Sequence, residues 1–283
     1  MPQIVIASCR AYPELSKSNQ TLANALENSG ANVTSHPWNA CDQQPFADAD
    51  LIFLRQTWDY IDDPGGFASW IIWRQRAGAK ILNAPDLAIW NNDKRSLTTL
   101  PDLGIPVPIT IPIHTEELGG LSDIPTEKIV IKPAFGGSGI GVELATKSTF
   151  EDVMGKLKAQ YPGRRWFAQE YLPEISNGEW KLTCFDGKAQ FAAHLIPQAG
   201  EFRVNTRFKP QTIIASPPLS AARAAESVSS WLGCDALCFR IDGVMRNDQF
   251  ICTELELTDP DLHFHLADAV WSKRLAASIL KSL

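Results

Sequence analysis

The sequence predicts a mixed α/β protein, opening with a small N-terminal parallel α/β domain and continuing in strand-rich α+β segments. Three observations carry that prediction. Short apolar runs alternate with polar helical stretches over the first ninety residues; a glycine-rich loop separates two strand-like runs between 128 and 145; and five strand-like runs follow from 166 onward, with one helix among them. The first pattern is that of a small parallel α/β unit, and the other two are those of strand-rich segments. A length of 283 residues accommodates one to three domains. Boundaries are expected near 90 and 168, dividing the chain into 1–90, 91–168 and 169–283.

In the first part, the apolar runs 4–8, 51–54 and 79–82 read as buried strands, and 18–29 and 65–77 read as helices. Asn28-Ser29-Gly30 is a helix stop, and Asn83-Ala84-Pro85 is a turn. A helical run over 92–102 ends at Gly104, after which Pro106, Pro108 and Pro112 enforce extended chain. Strands are expected over 166–171, 180–185, 189–196, 236–244 and 249–257, and helices over 219–232 and 265–281.

Composition narrows the function class. Lys and Arg number 26 against 32 Asp and Glu, a formal charge of −6, and hydrophobic residues make up 45%. That content is too apolar for disorder, and the acidic balance argues against a nucleic-acid partner. No apolar run approaches the roughly 20 residues of a membrane helix. The N-terminus shows no basic segment of a signal peptide, and six cysteines are scattered through strand-like runs, so a reducing, cytoplasmic setting is expected. Cys234-x3-Cys238 could be half a zinc site, but no second cysteine pair follows, and His263-x-His265 does not have the usual spacing of structural zinc ligands.

Chemistry is first suggested by Lys132-Pro133-Ala134-Phe135-Gly136-Gly137-Ser138-Gly139-Ile140-Gly141. Glycines at four of the six positions 136–141 leave backbone N–H groups able to wrap a phosphate, and an ordinary hairpin turn is the alternative. The GK[ST] ending of a Walker loop is missing, and a strand rather than a helix follows, which excludes the dinucleotide fingerprint. Lys132 leaves an apolar strand and therefore needs an anionic partner. Lys94 lies at the start of a helical run, where the helix dipole disfavours it. Further on, Glu254 and Glu256 alternate onto one strand face, and Asp242 precedes them by one hairpin. If the two strands pair through the turn near Asn247-Asp248, three carboxylates share one surface and suit a hard divalent cation such as Mg²⁺; a solvated acidic strand face is the alternative.

Taken in order, these motifs resemble the ATP-grasp ligases. The middle of the chain is similar to prokaryotic glutathione synthetase, while Arg55-Gln56-Thr57-Trp58-Asp59-Tyr60 and Trp90-Asn91 resemble the cycloserine-synthetase-type branch. The resemblance implies two lobes enclosing ATP. By position, Lys94 and Lys132 match phosphate-contacting lysines, and Gly136, Gly137, Ser138, Gly139 and Gly141 match a loop over the phosphates. Gln169, Glu170, Tyr171 and Leu172 match the hinge that meets adenine, and Glu179 matches the ribose-binding acid. Asp242, Glu254 and Glu256 match the ligands of Mg²⁺, with Mn²⁺ as an alternative ion. Arg203 matches the arginine near the transferred phosphoryl group, supported by Asn205. Two departures are Arg207-Phe208-Lys209-Pro210 in place of a Gly-Gly pair, and Asp259-Pro260 in place of Ser-Pro.

The implied activity is ATP-dependent joining of a small-molecule carboxylate, amino-acid-derived, to an amine through an acyl phosphate. A carboxylate is a poor electrophile, and phosphorylation supplies a good leaving group. Lys132, Arg203 and the metal would offset charge during transfer. Arg55 and Arg207 are the candidates to pair with a substrate carboxylate, since the arginine fork accepts it at two points. Intramolecular ring closure, a non-catalytic nucleotide-binding regulator and a kinase of the same fold are the competing readings. A homodimer is left open.

Overall fold

The computed structural model describes residues 1–113 and 120–283. In chain order the N-terminal unit contains β1 (Gln3–Ser8), α1 (Lys17–Asn28), β2 (Asn32–Pro37), α2 (Gln44–Ala47), β3 (Leu51–Leu54), α3 (Pro64–Arg76), β4 (Ile81–Leu82) and α4 (Pro85–Asn91). Its four strands form a parallel sheet in the order β2-β1-β3-β4. The strand β2 had no apolar signal, because its sequence NVTSHP lies at a half-exposed sheet edge where packing does not demand one. Ser16 and Asp63 cap α1 and α3 by accepting from Asn19 N–H and Gly66 N–H.

The run 92–102, read as one helix, is instead 3₁₀ turns over Lys94–Leu103 that follow the separate helix α4. Asp93 breaks the two apart by accepting from the Arg95 N–H, and Pro101 removes a donor further on.

The middle lobe is built on β5 (Thr110–Ile113), β6 (Lys128–Pro133), β7 (Glu143–Thr146), α5 (Phe150–Gln160) and β8 (Trp166–Glu170). Its antiparallel sheet runs β5-β8-β6-β7 and is covered by α5 through Phe150, Met154 and Leu157. That i, i+4, i+7 spacing marks a helix over a stretch for which the sequence reading named none.

The C-terminal lobe has β9 (Glu179–Phe185), β10 (Lys188–Ile196), β11 (Gln211–Ala215), α6 (Leu219–Leu232), β12 (Cys238–Arg246), β13 (Gln249–Glu256) and α7 (Ala269–Ser282). The five strands form an antiparallel sheet in the order β11-β10-β9-β12-β13. One face carries Leu182, Cys184, Phe239, Ile241 and Leu255 into a core with α6 and the 94–103 turns. On the opposite face Glu179, Lys181, Arg240 and Glu256 line a cleft shared with residues of the middle lobe.

The chain ends meet. Leu275, Ala276 and Ile279 of α7 pack with Leu22, Ala25 and Leu26 of α1. Asn83 ties the N-terminal unit to the large sheet, donating to the carbonyls of Cys238 (2.7 Å) and Leu257 (2.6 Å). The last helix starts at Ala269 rather than at 265, where the Asp268 carboxylate accepts from Val270 N–H. All six cysteines are unpaired thiols. No helix among the described residues is long and apolar enough to cross a membrane.

Candidate functional site

The cleft between the middle and C-terminal lobes collects most of the motif residues. Its floor is the polar face of β9, β12 and β13. Strand register sets Lys181 beside Asp242 and Asp242 beside Glu254 in one row, with Thr183, Arg240 and Glu256 in the next. Directly opposed residues share a face, so the period of two on each strand assembles acids and bases alternately across the sheet.

Each carboxylate of the floor meets a protein cation. Asp242, fully buried, accepts from Arg240 Nε at 2.7 Å, Arg240 Nη2 at 2.8 Å and Lys181 Nζ at 2.5 Å. Glu179 pairs with Lys181 (2.8 Å), Glu256 with Arg240 (2.6 Å), and Glu254 with Lys94. Burial acts to raise the Asp242 carboxyl, but Arg240 and Lys181 outweigh it and hold the group well below the usual carboxylate range. Burial likewise acts to lower the Lys181 amine, and Asp242 and Glu179 carry it above the ordinary lysine value.

Lys132 is different. Its amine donates to the Gln169 side-chain oxygen at 2.6 Å, and no carboxylate among the described residues bridges it. Burial lowers it to about 8, Glu179 opposes that shift, and Lys94 and Lys181 add to it. Gln169 is buried and donates onward to Thr110 (3.0 Å), so the amine sits on a fixed oxygen. Lys94 is also lowered, by burial foremost.

Beyond Lys132 the cleft becomes apolar, with Val130, Leu172, Ile175 and Val244 in its wall. The hinge segment runs through Glu170, whose side chain lies 3.4 Å from Arg246, to Tyr171 and Leu172. Among the described residues no acceptor meets the backbone N–H of Tyr171 or Leu172. Apolar wall thus lies beside free backbone donors, and Glu179 also lines the cleft, where it accepts from Thr253 (2.8 Å).

The glycine loop forms the roof. Ser138, Gly139 and Gly141 have positive φ of 53°, 70° and 73°. The loop rests on the segment after β10: a Cβ at Gly139 would lie 2.6 Å from Asn205 Oδ1, and Arg203 Nη1 donates to the Val142 carbonyl at 2.9 Å. Arg203 is held by two hydrogen bonds to Glu201, both at 3.0 Å, which keep that carboxyl down at about 2. Gly136 and Gly137 also line the cleft.

Two expected substrate residues stand elsewhere. Arg207 is exposed, stacks 4.9 Å from the Phe208 ring and does not line the cleft. Arg55 is buried behind β3, donating to Asn19 (3.1 Å and 3.0 Å) and to the Pro260 carbonyl (2.5 Å). It is absent from the cleft wall because the 259–261 segment folds over it.

Chain comparisons identify this architecture. Residues 4–83 match the family model of the D-cycloserine synthetase DcsG N-terminal domain, and residues 105–243 match that of the prokaryotic glutathione synthetase ATP-grasp domain. The chain has the ATP-grasp fold. The ATP-grasp chain superposes on a crystal structure of D-cycloserine synthetase DcsG with a TM-score of 0.83, at 20% identity and over 99% of both chains. It superposes on a D-alanine–D-alanine ligase from Bacillus anthracis with a TM-score of 0.72, at 17% identity, covering 99% of this chain and 96% of that one. It is 26% identical over 206 residues to a glutathione synthetase of Parasynechococcus marenigrum, 71% of this chain and 64% of the relative. With a glutathione synthetase of Bordetella parapertussis it shares 25% over 185 residues, 62% of this chain and 56% of that one. The chain thus spans about three fifths of the length of these curated relatives.

The ATP-grasp cleft can be tested for a divalent cation on its donor set. Glu254 and Glu256 face the cleft with hard oxygens and are partly exposed, 27% and 26% for their side chains. Asp242 has both oxygens saturated by Arg240 and Lys181. Among the described residues no three His, Cys, Asp or Glu side chains form a ready metal cage. The set therefore fits an ion that takes most of its ligands from phosphate and water, as Mg²⁺ does, with Glu254 and Glu256 as its protein contacts. A cation at Asp242 would have to compete with both Arg240 and Lys181. Sequence reasoning assigned no role to Lys181 or Arg240, both of which line this cleft. The available signal was the spacing of two from Glu179 to Lys181 and from Arg240 to Asp242.

Proposed function

We propose that this protein is an ADP-forming, ATP-dependent carboxylate–amine ligase acting on an amino-acid-derived small molecule, in specialised metabolism. One observation carries the reading: two lysines, a glycine roof and two cleft-facing glutamates converge in a cleft that also holds apolar wall beside free backbone donors. Tyr171 and Leu172 hold the base by their backbone, Glu179 the ribose, and Lys94, Lys132 and the 136–141 amides the phosphates. Glu254 and Glu256 would hold a Mg²⁺ ion, or Mn²⁺ in its place, which would supply positive charge against the phosphates.

Phosphate binding re-partitions the ion pairs. Lys94 leaves Glu254 for the phosphates, which frees the Glu254 carboxylate. Lys132, which has no carboxylate partner among the described residues, is available to the transferred group throughout. Transfer to the substrate carboxylate gives an acyl phosphate, and amine attack then releases phosphate. Arg203, at the seam between roof and floor, stabilises the charge that develops on oxygen. The roof excludes water from the acyl phosphate.

The match of residues 4–83 to the cycloserine-synthetase N-terminal domain favours a second form of the same reaction, in which amine and carboxylate belong to one molecule. The test is ADP and phosphate release from Mg·ATP over a panel of amino acids and amino-acid pairs, with mass spectrometry of the products. Phosphate release that needs both a carboxylate and an amine is the expected result. A product that keeps the phosphate, or ATP binding without turnover on any pair, refutes it. The product mass then separates ring closure from joining of two molecules.

A further inference from the structure

A second cavity, of about 700 Å³, lies outside the nucleotide cleft, between the N-terminal unit and the middle lobe. Its volume falls within the roughly 300–1,000 Å³ of small-molecule sites. Ile61, Ile89 and Phe135 supply apolar wall, and Tyr161 adds an aromatic one.

The polar wall is rich in donors. Arg164 and Arg165 oppose the one carboxylate of the wall, Asp62, which leaves a net charge of +1. Asp62 accepts from Arg164 Nη2 at 2.8 Å, while Arg164 Nη1 is buried without an acceptor among the described residues. Asn92 is 3% exposed; its oxygen accepts from Thr258 at 2.7 Å, and its NH₂ is buried and unpartnered among the described residues. The first turn of α3 adds a third donor. The Gly65 N–H has no acceptor among the described residues, and a Cβ at Gly65 would meet nothing within 4 Å. Arg164 Nη1 and the Asn92 NH₂ lie behind the wall of the cavity; what faces it, the exposed Arg165 side chain with a surplus positive charge and the α3 N-terminus, favours a ligand that accepts hydrogen bonds and carries negative charge.

We propose that this cavity binds a small monocarboxylate with an apolar or aromatic body, at a site separate from the nucleotide cleft. The carboxylate is recognised by Arg165 and the α3 N-terminus, and the body lies against Phe135 and Tyr161. The site adjoins the nucleotide machinery through the chain itself: Phe135 precedes Gly136 of the roof, and Asn92 lies two residues before Lys94.

The test is calorimetric titration of the full chain, saturated with ADP so that the nucleotide cleft is filled. The probes are hippurate, N-acetylphenylalanine and the uncharged N-acetylphenylalaninamide. Both acids should bind, and the amide should bind about tenfold more weakly. Arg165→Gln, a change at an exposed side chain, should weaken the acids by a similar factor. Ala68→Phe, which fills the cavity from α3, should abolish binding, while ADP affinity and Tm stay those of the parent. Absence of binding by both acids up to about 10 mM overturns the proposal. Equal affinity for acid and amide overturns it too, as does binding that both substitutions leave unchanged, which would place the acids elsewhere.

Discussion

Lys132 makes nucleotide binding a proton-linked event. In the free protein burial brings its amine to about 8, while a phosphate beside it would restore the ordinary lysine value of about 10.4. At pH 8 the free amine is half protonated and the bound one fully so, and binding should take up about 0.5 proton. Between pH 7 and pH 9 the protonated fraction of the free amine falls about tenfold, which weakens nucleotide binding by about 1.4 kcal/mol. Calorimetry with ADP in buffers of different ionisation enthalpy, at pH 8 and pH 9, reads the uptake directly. Lys132→Arg keeps the charge at both pH values, so its uptake should be smaller by about half a proton at pH 8. If parent and variant take up the same number of protons, Lys132 does not meet the phosphates and this reasoning fails.

Other substitutions probe the remaining parts. The Asp259 carboxylate, accepting from Thr57 N–H (3.0 Å) and Oγ1 (2.9 Å), is pushed up to about 6 by burial and then by Glu256. A raised carboxyl adds stability below its unfolded value near 3.9 and loses that contribution as pH rises through 6. Asp259→Asn should therefore gain up to about 3 kcal/mol on the parent between pH 4 and pH 7, and a Tm difference that does not grow over that range contradicts it. Arg240→Met strands the buried Asp242 charge and should cost about 3–5 kcal/mol in denaturant unfolding; a loss under 1 kcal/mol would show that Lys181 alone suffices. Gly139→Ala forces a side chain onto Asn205 at a φ of 70°, so turnover should fall while Tm barely moves; unchanged kcat would mean that the roof need not close as seen here. Glu254→Gln should raise the Mg²⁺ concentration for half-maximal activity at least about tenfold, and an unchanged Mg²⁺ dependence removes Glu254 from the metal site.

Much of this molecule was legible in the sequence because its information is local. Alternating runs identified β1, β3, β9, β10, β12 and β13, since each buries one or both faces and must be apolar there. The edge strands β2 and β11 escaped because a strand with one neighbour and a half-exposed surface carries little hydrophobic pattern. The order of lysines, glycines and carboxylates likewise announced a phosphate site before any coordinates. Tertiary structure decided which charges touch. That Lys181 sits between Glu179 and Asp242, and that Arg240 spans Asp242 and Glu256, depends on the register of three strands up to 77 residues apart in the chain, from Glu179 to Glu256. A single sequence does not encode register in any one segment, because pairing is a property of two segments and of the core beneath them. The same reason took Arg55 out of the cleft: its position at the end of β3 is local, but the loop that closes over it comes from the far end of the chain.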